Sequence, residues 1–196
     1  MSLFEFTFGL SAVILGLALA HMASTLSRLA LAGRRVRWAV EPVLLSAIVV
    51  LITVAVWLNQ WGVRNQTETT YGLMLIQVGK MIAPFMAASF VLPDSIPEEG
   101  PVDLYVHYDR TRALTFGALM FGLWAFWVHY AILWGSGRIP EQGPMTVWAA
   151  VTSVPWEYSL IYGALIVIRR RWINVVLLSA GLLWYGWNLV PLPLTG

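Results

Sequence analysis

The sequence predicts an all-α, polytopic membrane protein built as a bundle of six transmembrane helices. Three observations predict this class. First, 59% of the 196 residues are hydrophobic and only 11% are charged, whereas soluble domains carry about 25% charged residues. Second, the apolar residues fall in runs of about 20, the length of a membrane-spanning helix. Third, these runs are continuous, whereas the strands of a membrane barrel are about 10 residues long and alternate.

Six apolar segments make up one predicted transmembrane domain over residues 1–196. The connectors between them contain glycine, proline and charged residues, which interrupt helices. None of the connectors is of low complexity. The six spans, in order, are predicted at Phe4–Leu31, Val40–Trp61, Tyr71–Leu92, Ala113–Trp134, Met145–Ile168 and Trp172–Val190.

The basic residues predict how the bundle is oriented. Cytoplasmic connectors carry an excess of lysine and arginine. With the N-terminus outside, only Arg64 and Arg138 lie on the outer side. We therefore expect both termini in the periplasm and the protein in a bacterial inner membrane, with the lipid bilayer as its first partner. The inner side then holds Arg28, Arg34, Arg35, Arg37, Arg110, Arg112, Arg169, Arg170 and Arg171.

Several classes of chemistry are missing from the sequence. There is no cysteine, which excludes disulfides, iron–sulfur clusters and thiolate metal sites. No nucleotide-binding, metalloprotease or serine-hydrolase motif is present. The arginines flank apolar spans and do not form a nucleic-acid-binding face. We therefore expect no cofactor, no nucleic-acid partner and no enzymatic activity.

Two stretches share the pattern Thr-Phe-Gly, eleven residues, then His: Thr7–His21 and Thr115–His129. An ancestral duplication would give a weak 3+3 inverted repeat, which is familiar in transporters. Chance resemblance between apolar helices is the alternative. The helix rise places the two histidines at depths that differ by roughly 18 Å, too far apart to share a metal or a haem. Each is either a structural histidine or a proton relay.

Lys80 and Glu157 lie near the centres of the third and fifth predicted spans. A charge at that depth costs at least about 2.5–3.5 kcal/mol. Both spans run in the same direction, and their depths differ by about 4 Å, so we expect the two side chains to pair or to face one polar cavity. Pro155 should kink the fifth span beside Glu157 and free the carbonyl of Val151. A structural ion pair and a transport site are both consistent with this pattern.

Two other patterns have a simple structural reading beside a functional one. Ala12, Gly16, Ala20 and Ser24 recur at four-residue spacing on the first span, which favours close helix packing within the bundle or between copies. The inner connector between the third and fourth spans is acidic and carries His107 beside Asp109, two ligands where a metal site needs a third. We expect an amphipathic interfacial segment there. The acidic and histidine residues of this connector are Asp94, Glu98, Glu99, Asp103, His107 and Asp109.

The sequence favours a small transporter or channel with a polar site at the bilayer midplane. In this hypothesis Glu157 binds a proton or a cation, and Lys80 is its counter-charge. The alternative is a non-catalytic membrane subunit or scaffold, and a lipid-modifying enzyme using the inner connector is a third reading. For either of the first two we expect a homo-oligomer or a membrane-protein partner. The other candidate site residues are Asn59 and Gln60 at the outer entrance, His129 as an outer proton relay and His21 as the corresponding inner group.

Overall fold

The computed structural model describes residues 3–63, 69–96, 100–139 and 143–189, of which 83% lie in helices. The predicted all-α class is therefore confirmed. The two strands are only two residues each, Val36–Arg37 (β1) and Val102–Asp103 (β2). The helices are α1 (Leu3–Ala32), α2 (Val40–Asn59), α3 (Tyr71–Val91), α4 (Leu104–Gly135), α5 (Val147–Thr152), α6 (Trp156–Val167) and α7 (Arg171–Leu189).

Four of these helices, α1 to α4, are long and apolar enough to cross a membrane. This agrees with the predicted membrane protein and with contact between its helices and lipid. The helix α6 has 12 residues, too few to span a bilayer alone. The helix α7 is long enough, but its polar and indole side chains lower its hydropathy. The count of six spans, the orientation of the termini and the inverted repeat stay predictions.

The helix α4 begins nine residues before the predicted fourth span (113 − 104 = 9). The expected interfacial segment is therefore the first part of a transmembrane-type helix. The carboxylate of Asp103 caps this helix, because it accepts hydrogen bonds from the backbone N–H groups of Tyr105 and Val106. Leu104 and Tyr108 are buried, so this first part of α4 belongs to the bundle core.

The fifth predicted span is interrupted, not simply kinked. The helix α5 ends at Thr152, and α6 begins at Trp156, directly after Pro155. Proline has no backbone N–H and cannot continue the hydrogen-bond ladder of α5. The carbonyl of Val151, which the sequence predicted to be free, accepts hydrogen bonds from the indole of Trp156 and the backbone N–H of Val154, both at 3.3 Å. Neighbouring groups of the chain, one side chain and one backbone N–H, therefore satisfy this carbonyl without a bound ligand.

The ends of several helices that carry the predicted inner arginines meet at one end of the bundle, which we call the arginine-rich end. The strand β1, just after α1, pairs in parallel with β2, just before α4. The carboxylate of Glu41, at the start of α2, accepts two hydrogen bonds from Arg171 of α7, at 2.8 and 3.2 Å. Buried Arg112 donates to the carbonyl of Ile168 at 3.0 Å. An ion pair, a strand pairing and a hydrogen bond from a buried arginine therefore connect the helices at this end.

The helices α3 and α4 have the most extensive contact in the bundle. A Cβ atom built on Gly122 of α4 would lie 2.8 Å from the Cβ of Ala83 on α3. Non-bonded carbon atoms do not approach each other this closely. The two helices can therefore pack at this distance only because residue 122 is a glycine. This close approach aligns the middle of α3 with the second half of α4.

The small residues on α1 point away from the bundle. Ala12, Gly16, Ala20 and Ser24 are all exposed, and a Cβ on Gly16 would meet no atom within 4 Å. The residues that face the core are their neighbours Ser11, Leu15, Ala18 and Met22. Of the two packing roles predicted for this stripe, packing within the bundle is wrong, and packing between separate chains stays a prediction.

Candidate functional site

The only lysine of the chain contacts a histidine in the interior of the bundle. The Nζ atom of Lys80 on α3 lies 2.6 Å from the Nδ1 atom of His129 on α4. Both residues are buried, at 4% and 7% exposure, and the ring of Phe126 lies under the Lys80 amine at 4.9 Å. In the described part of the chain, no carboxylate forms an ion pair with Lys80. A buried amine therefore has a titratable imidazole as its partner.

The predicted pairing of Lys80 with Glu157 is wrong. Glu157 lies in the first turn of α6, where it is exposed, and makes no ion pair with another described residue. The prediction compared the depths of Lys80 and Glu157 along their helices, and similar depths do not show that the two helices are neighbours. The contact between α3 and α4 supplies His129 to Lys80, and α6 packs chiefly on α4.

Lys80 lines a cavity of about 210 Å³ between α2, α3 and α4, which we call the lysine cavity. Asn59, predicted to line an entrance, is one of its wall residues. Pro84 of α3 is another, and because proline lacks an N–H, the carbonyl of Lys80 loses its usual helical donor. The lysine cavity thus has the Lys80 amine and a proline-interrupted part of the α3 hydrogen-bond ladder in one wall.

Glu157 lines a second, larger cavity of about 400 Å³ between α6 and α7, which we call the glutamate cavity. Glu157 is the one charged side chain among its lining residues. Trp184 and Ile161, also in its wall, are exposed at 56% and 38%, so the cavity opens toward the surroundings of the bundle. The remaining wall is apolar and aromatic.

Two tyrosines form a wall common to both cavities. Tyr162 of α6 and Tyr185 of α7 line the lysine cavity and the glutamate cavity alike. Their hydroxyl oxygens are 2.7 Å apart and share a hydrogen bond. Tyr162 is buried, and its ring stacks on that of Phe116 at 5.9 Å between centroids. This hydrogen-bonded pair therefore borders both the cavity of the amine and the cavity of the carboxylate.

A pair of glutamines extends the polar interior from Lys80 toward the far end of α2. Gln60, predicted to line an entrance, is buried at 1% exposure and accepts a hydrogen bond from the side-chain amide of Gln77. Gln77 precedes Lys80 by three residues and so lies on the same face of α3. Its own Oε1 atom has no hydrogen-bond partner in the described part of the protein. The buried polar groups thus form a line of Gln60, Gln77, Lys80 and His129.

His21 lies away from this line. Its Nε2 atom is 3.0 Å from Oδ1 of Asp94, but the contact is not aligned as a hydrogen bond. His107 faces the carbonyl oxygen of Phe90 at 3.0 Å from its Nε2 atom. Among the described residues no group of three histidine or acidic side chains gathers to hold a metal ion. Glu98 and Glu99 lie outside the described residues.

Sequence reasoning missed four residues that the structure makes central: Glu41, Gln77, Tyr162 and Tyr185. The three-residue spacing between Gln77 and Lys80 was a usable signal, because it places both on one helix face. The tyrosines carry no local signal, since single tyrosines in apolar spans are common anchors. Glu41 reads as an ordinary acidic residue near a helix N-terminus.

Comparisons with protein-family models, with curated proteins and with solved structures found no match for this chain. The chemistry available to the site therefore rests on its own residues. An amine and an imidazole in contact can exchange a proton, and a carboxylate in an apolar, aromatic cavity can hold a cation. These two abilities lie on opposite sides of the Tyr162–Tyr185 pair.

Proposed function

We propose that this protein is a small proton-coupled membrane transporter. In this proposal the lysine cavity carries the proton and the glutamate cavity carries the cargo. The observation that supports it most directly is the contact between Lys80 and His129, 2.6 Å apart and away from any carboxylate of the described chain. In this proposal the chain crosses the inner membrane six times. The helices α5 and α6 together form the fifth crossing, α7 forms the sixth, and both termini lie on the outer side.

The Lys80–His129 contact has a hydrogen bond in two protonation states. An ammonium donates to a neutral imidazole, or a neutral amine accepts from the Nδ1–H of the ring. The pair can therefore gain or lose one proton without losing its contact. A buried charge without a counter-ion is costly, and the described chain provides no carboxylate that would hold this pair in its charged state.

The two cavities give this proton a means of affecting a cargo. They share Tyr162 and Tyr185, so a charge in one cavity acts on the other through a thin protein wall of low dielectric. A proton on the Lys80–His129 pair disfavours a second positive charge at Glu157. Binding of one therefore favours release of the other, which is the requirement for exchange.

The test is proton flux in proteoliposomes that contain a pH-sensitive dye. We expect an imposed gradient of a cargo cation to drive protons in the opposite direction. The probes are Na⁺, K⁺ and tetraphenylphosphonium, each added to separate vesicles. Replacing the amine by an isosteric apolar side chain, Lys80→Met, should abolish the coupled flux, because the remaining imidazole has lost its proton-sharing partner.

The matched control is Arg170→Met, which removes an exposed basic residue with no ion pair to another described residue. This variant should transport as the wild type does. Unchanged coupled flux in Lys80→Met, or no proton movement with any of the three cations, would refute the proposal.

A second candidate function, a membrane subunit or scaffold, is favoured by one observation. The small residues of α1 face outward, which is the arrangement needed for another helix to approach closely. The partner in this case is a different membrane protein. Native mass spectrometry after gentle extraction separates the outcomes: a stoichiometric foreign subunit favours the scaffold, and a homo-oligomer or monomer leaves the transporter as the better proposal.

A further inference from the structure

We infer that the glutamate cavity binds lipophilic organic cations, which makes these the cargo class of the proposed transporter. This inference rests on the proposed function in two respects, the transport of a cargo and the position of α5 to α7 within the bilayer, while the binding site is argued from separate observations. They are the lone carboxylate of Glu157, the aromatic rings around it, the size of the cavity and the side to which it opens.

The charge of the cavity selects a cation. Glu157 is the one charged group among the lining residues, and among the described residues it has no basic partner. It lies midway between the start of α5 and the end of α6, far from either predicted membrane surface. A carboxylate at such a depth requires compensation, which a bound cation supplies.

The aromatic rings select an organic cation over a metal ion. Tyr158, Tyr162, Trp184 and Tyr185 line the cavity. The faces of aromatic rings attract weakly hydrated cations, and quaternary ammonium groups are the best-known case. A small inorganic ion would need several oxygen ligands, and Glu157 is the only acidic residue that the cavity offers.

Hydrogen bonds hold these rings in place before a ligand arrives. The indole of Trp184 donates to the hydroxyl of Tyr158 at 2.9 Å, and Tyr162 shares its hydrogen bond with Tyr185. The rings of Tyr158 and Tyr185 are 6.0 Å apart between centroids. A preformed wall loses little conformational entropy when it binds, so it favours affinity.

The size and opening of the cavity select a lipophilic molecule. Its volume of about 400 Å³ lies within the range of about 300–1,000 Å³ typical of small-molecule sites. Exposed residues of α6 and α7 border it at the depth of the predicted bilayer, so the ligand enters from the lipid. Only a cation that partitions into a membrane takes that route.

The test is equilibrium binding of labelled tetraphenylphosphonium to the full chain in lipid nanodiscs. We expect saturable binding of one cation per chain. Tetraphenylborate has nearly the same shape and the opposite charge, and it should show no saturable binding to the protein. Glu157→Gln keeps the shape of the side chain and should weaken tetraphenylphosphonium binding at least tenfold.

Two variants of one tyrosine test the aromatic contribution separately. Tyr158→Leu removes the ring together with its hydroxyl and should weaken binding about fivefold, whereas Tyr158→Phe keeps the ring, loses only the hydrogen bond from Trp184 and should weaken binding less, by about twofold. Trp148→Leu, at an exposed position outside both cavities, is the control for nonspecific effects of losing an aromatic residue. Size-exclusion chromatography establishes that each variant is folded.

The inference is overturned if Glu157→Gln binds tetraphenylphosphonium as the wild type does, or if tetraphenylborate binds equally well. Its failure is distinguishable from that of the proposed function. Saturable, Glu157-dependent binding without coupled flux would leave the site standing and remove the transporter. Lys80-dependent proton flux driven by Na⁺ or K⁺, without tetraphenylphosphonium binding, would do the reverse.

Discussion

Two of the buried ionisable side chains of the bundle, Glu41 and Lys80, have sharply different surroundings. At the arginine-rich end, Glu41 is 1% exposed and receives two hydrogen bonds from Arg171, which also stacks on the ring of Tyr105 at 4.0 Å. In the middle of the bundle, Lys80 is 4% exposed, and its polar partner among the described residues is a histidine ring. The first group is charge-compensated, and the second is not.

This difference indicates which end of the molecule is built for rigidity. A carboxylate with a two-point arginine contact has its lone pairs satisfied in a fixed geometry. Around it lie the strand pairing of β1 with β2, buried Arg112 and much of the apolar core. Around Lys80 and Glu157 lie two cavities and a helix interrupted at Pro155. In our proposal the less constrained region, around Lys80 and Glu157, carries out transport.

The test with the largest expected effect removes the basic partner from the Glu41–Arg171 ion pair and, separately, the amine from the Lys80–His129 contact. Arg171→Met leaves the Glu41 carboxylate buried without a partner and should lower the free energy of unfolding by about 3 kcal/mol. Lys80→Met removes an uncompensated amine and should leave stability equal to or above that of the wild type. Thermal denaturation in detergent measures both. The control is Arg170→Met, which removes the exposed arginine directly before Arg171 and should have little effect on Tm.

A similar loss of stability in Arg171→Met and Lys80→Met would show that the two sites do not differ in the way proposed. The same outcome would also weaken the argument for proton exchange, because a stabilising amine would then be a structural group.

A second test, of smaller effect, asks whether helix packing alone positions Lys80. Gly122→Ala places a methyl group against Ala83 and should destabilise the protein by about 2 kcal/mol through overpacking. It should also separate Lys80 from His129 and reduce coupled flux. Gly117→Ala on the same helix meets no atom within 4 Å and should stabilise by up to about 1 kcal/mol through helix propensity. Equal stability of the two variants would contradict the close approach of α3 and α4.

The smallest expected effect concerns the wall between the cavities. Tyr185→Phe removes one partner of the Tyr162 hydroxyl and should cost about 1 kcal/mol in unfolding free energy. We expect coupled flux to change by a larger factor than the free energy of unfolding does, because the hydrogen bond between Tyr162 and Tyr185, which border both cavities, is lost. Tyr130→Phe is the control, since its hydroxyl makes no hydrogen bond to another described residue. A Tm change as large as that of Arg171→Met would place this pair with the structural contacts.

The lengths of most helices follow closely from local sequence. The helices α2 and α3 start where the predicted spans start, at Val40 and Tyr71, and α7 starts one residue early. The early start of α4 was missed because Asp103 caps a segment whose charged residues resemble an exposed loop. Polar side chains such as Tyr108 and Arg112 are buried there by neighbouring helices, which a linear pattern does not reveal.

The class of the protein and the identity of its unusual groups follow from the amino-acid sequence alone. Apolar runs of bilayer length predict helices, and Lys80, Glu157 and His129 are conspicuous because charge and imidazole are costly among apolar residues. The partners of these groups, in contrast, depend on the packing of the helices. Which side chains meet depends on which helices are neighbours and how closely they approach. That approach is set between α3 and α4 by the missing side chain of Gly122, so Lys80 meets His129. Glu157 lies on α6 and lines the aromatic cavity between α6 and α7 instead.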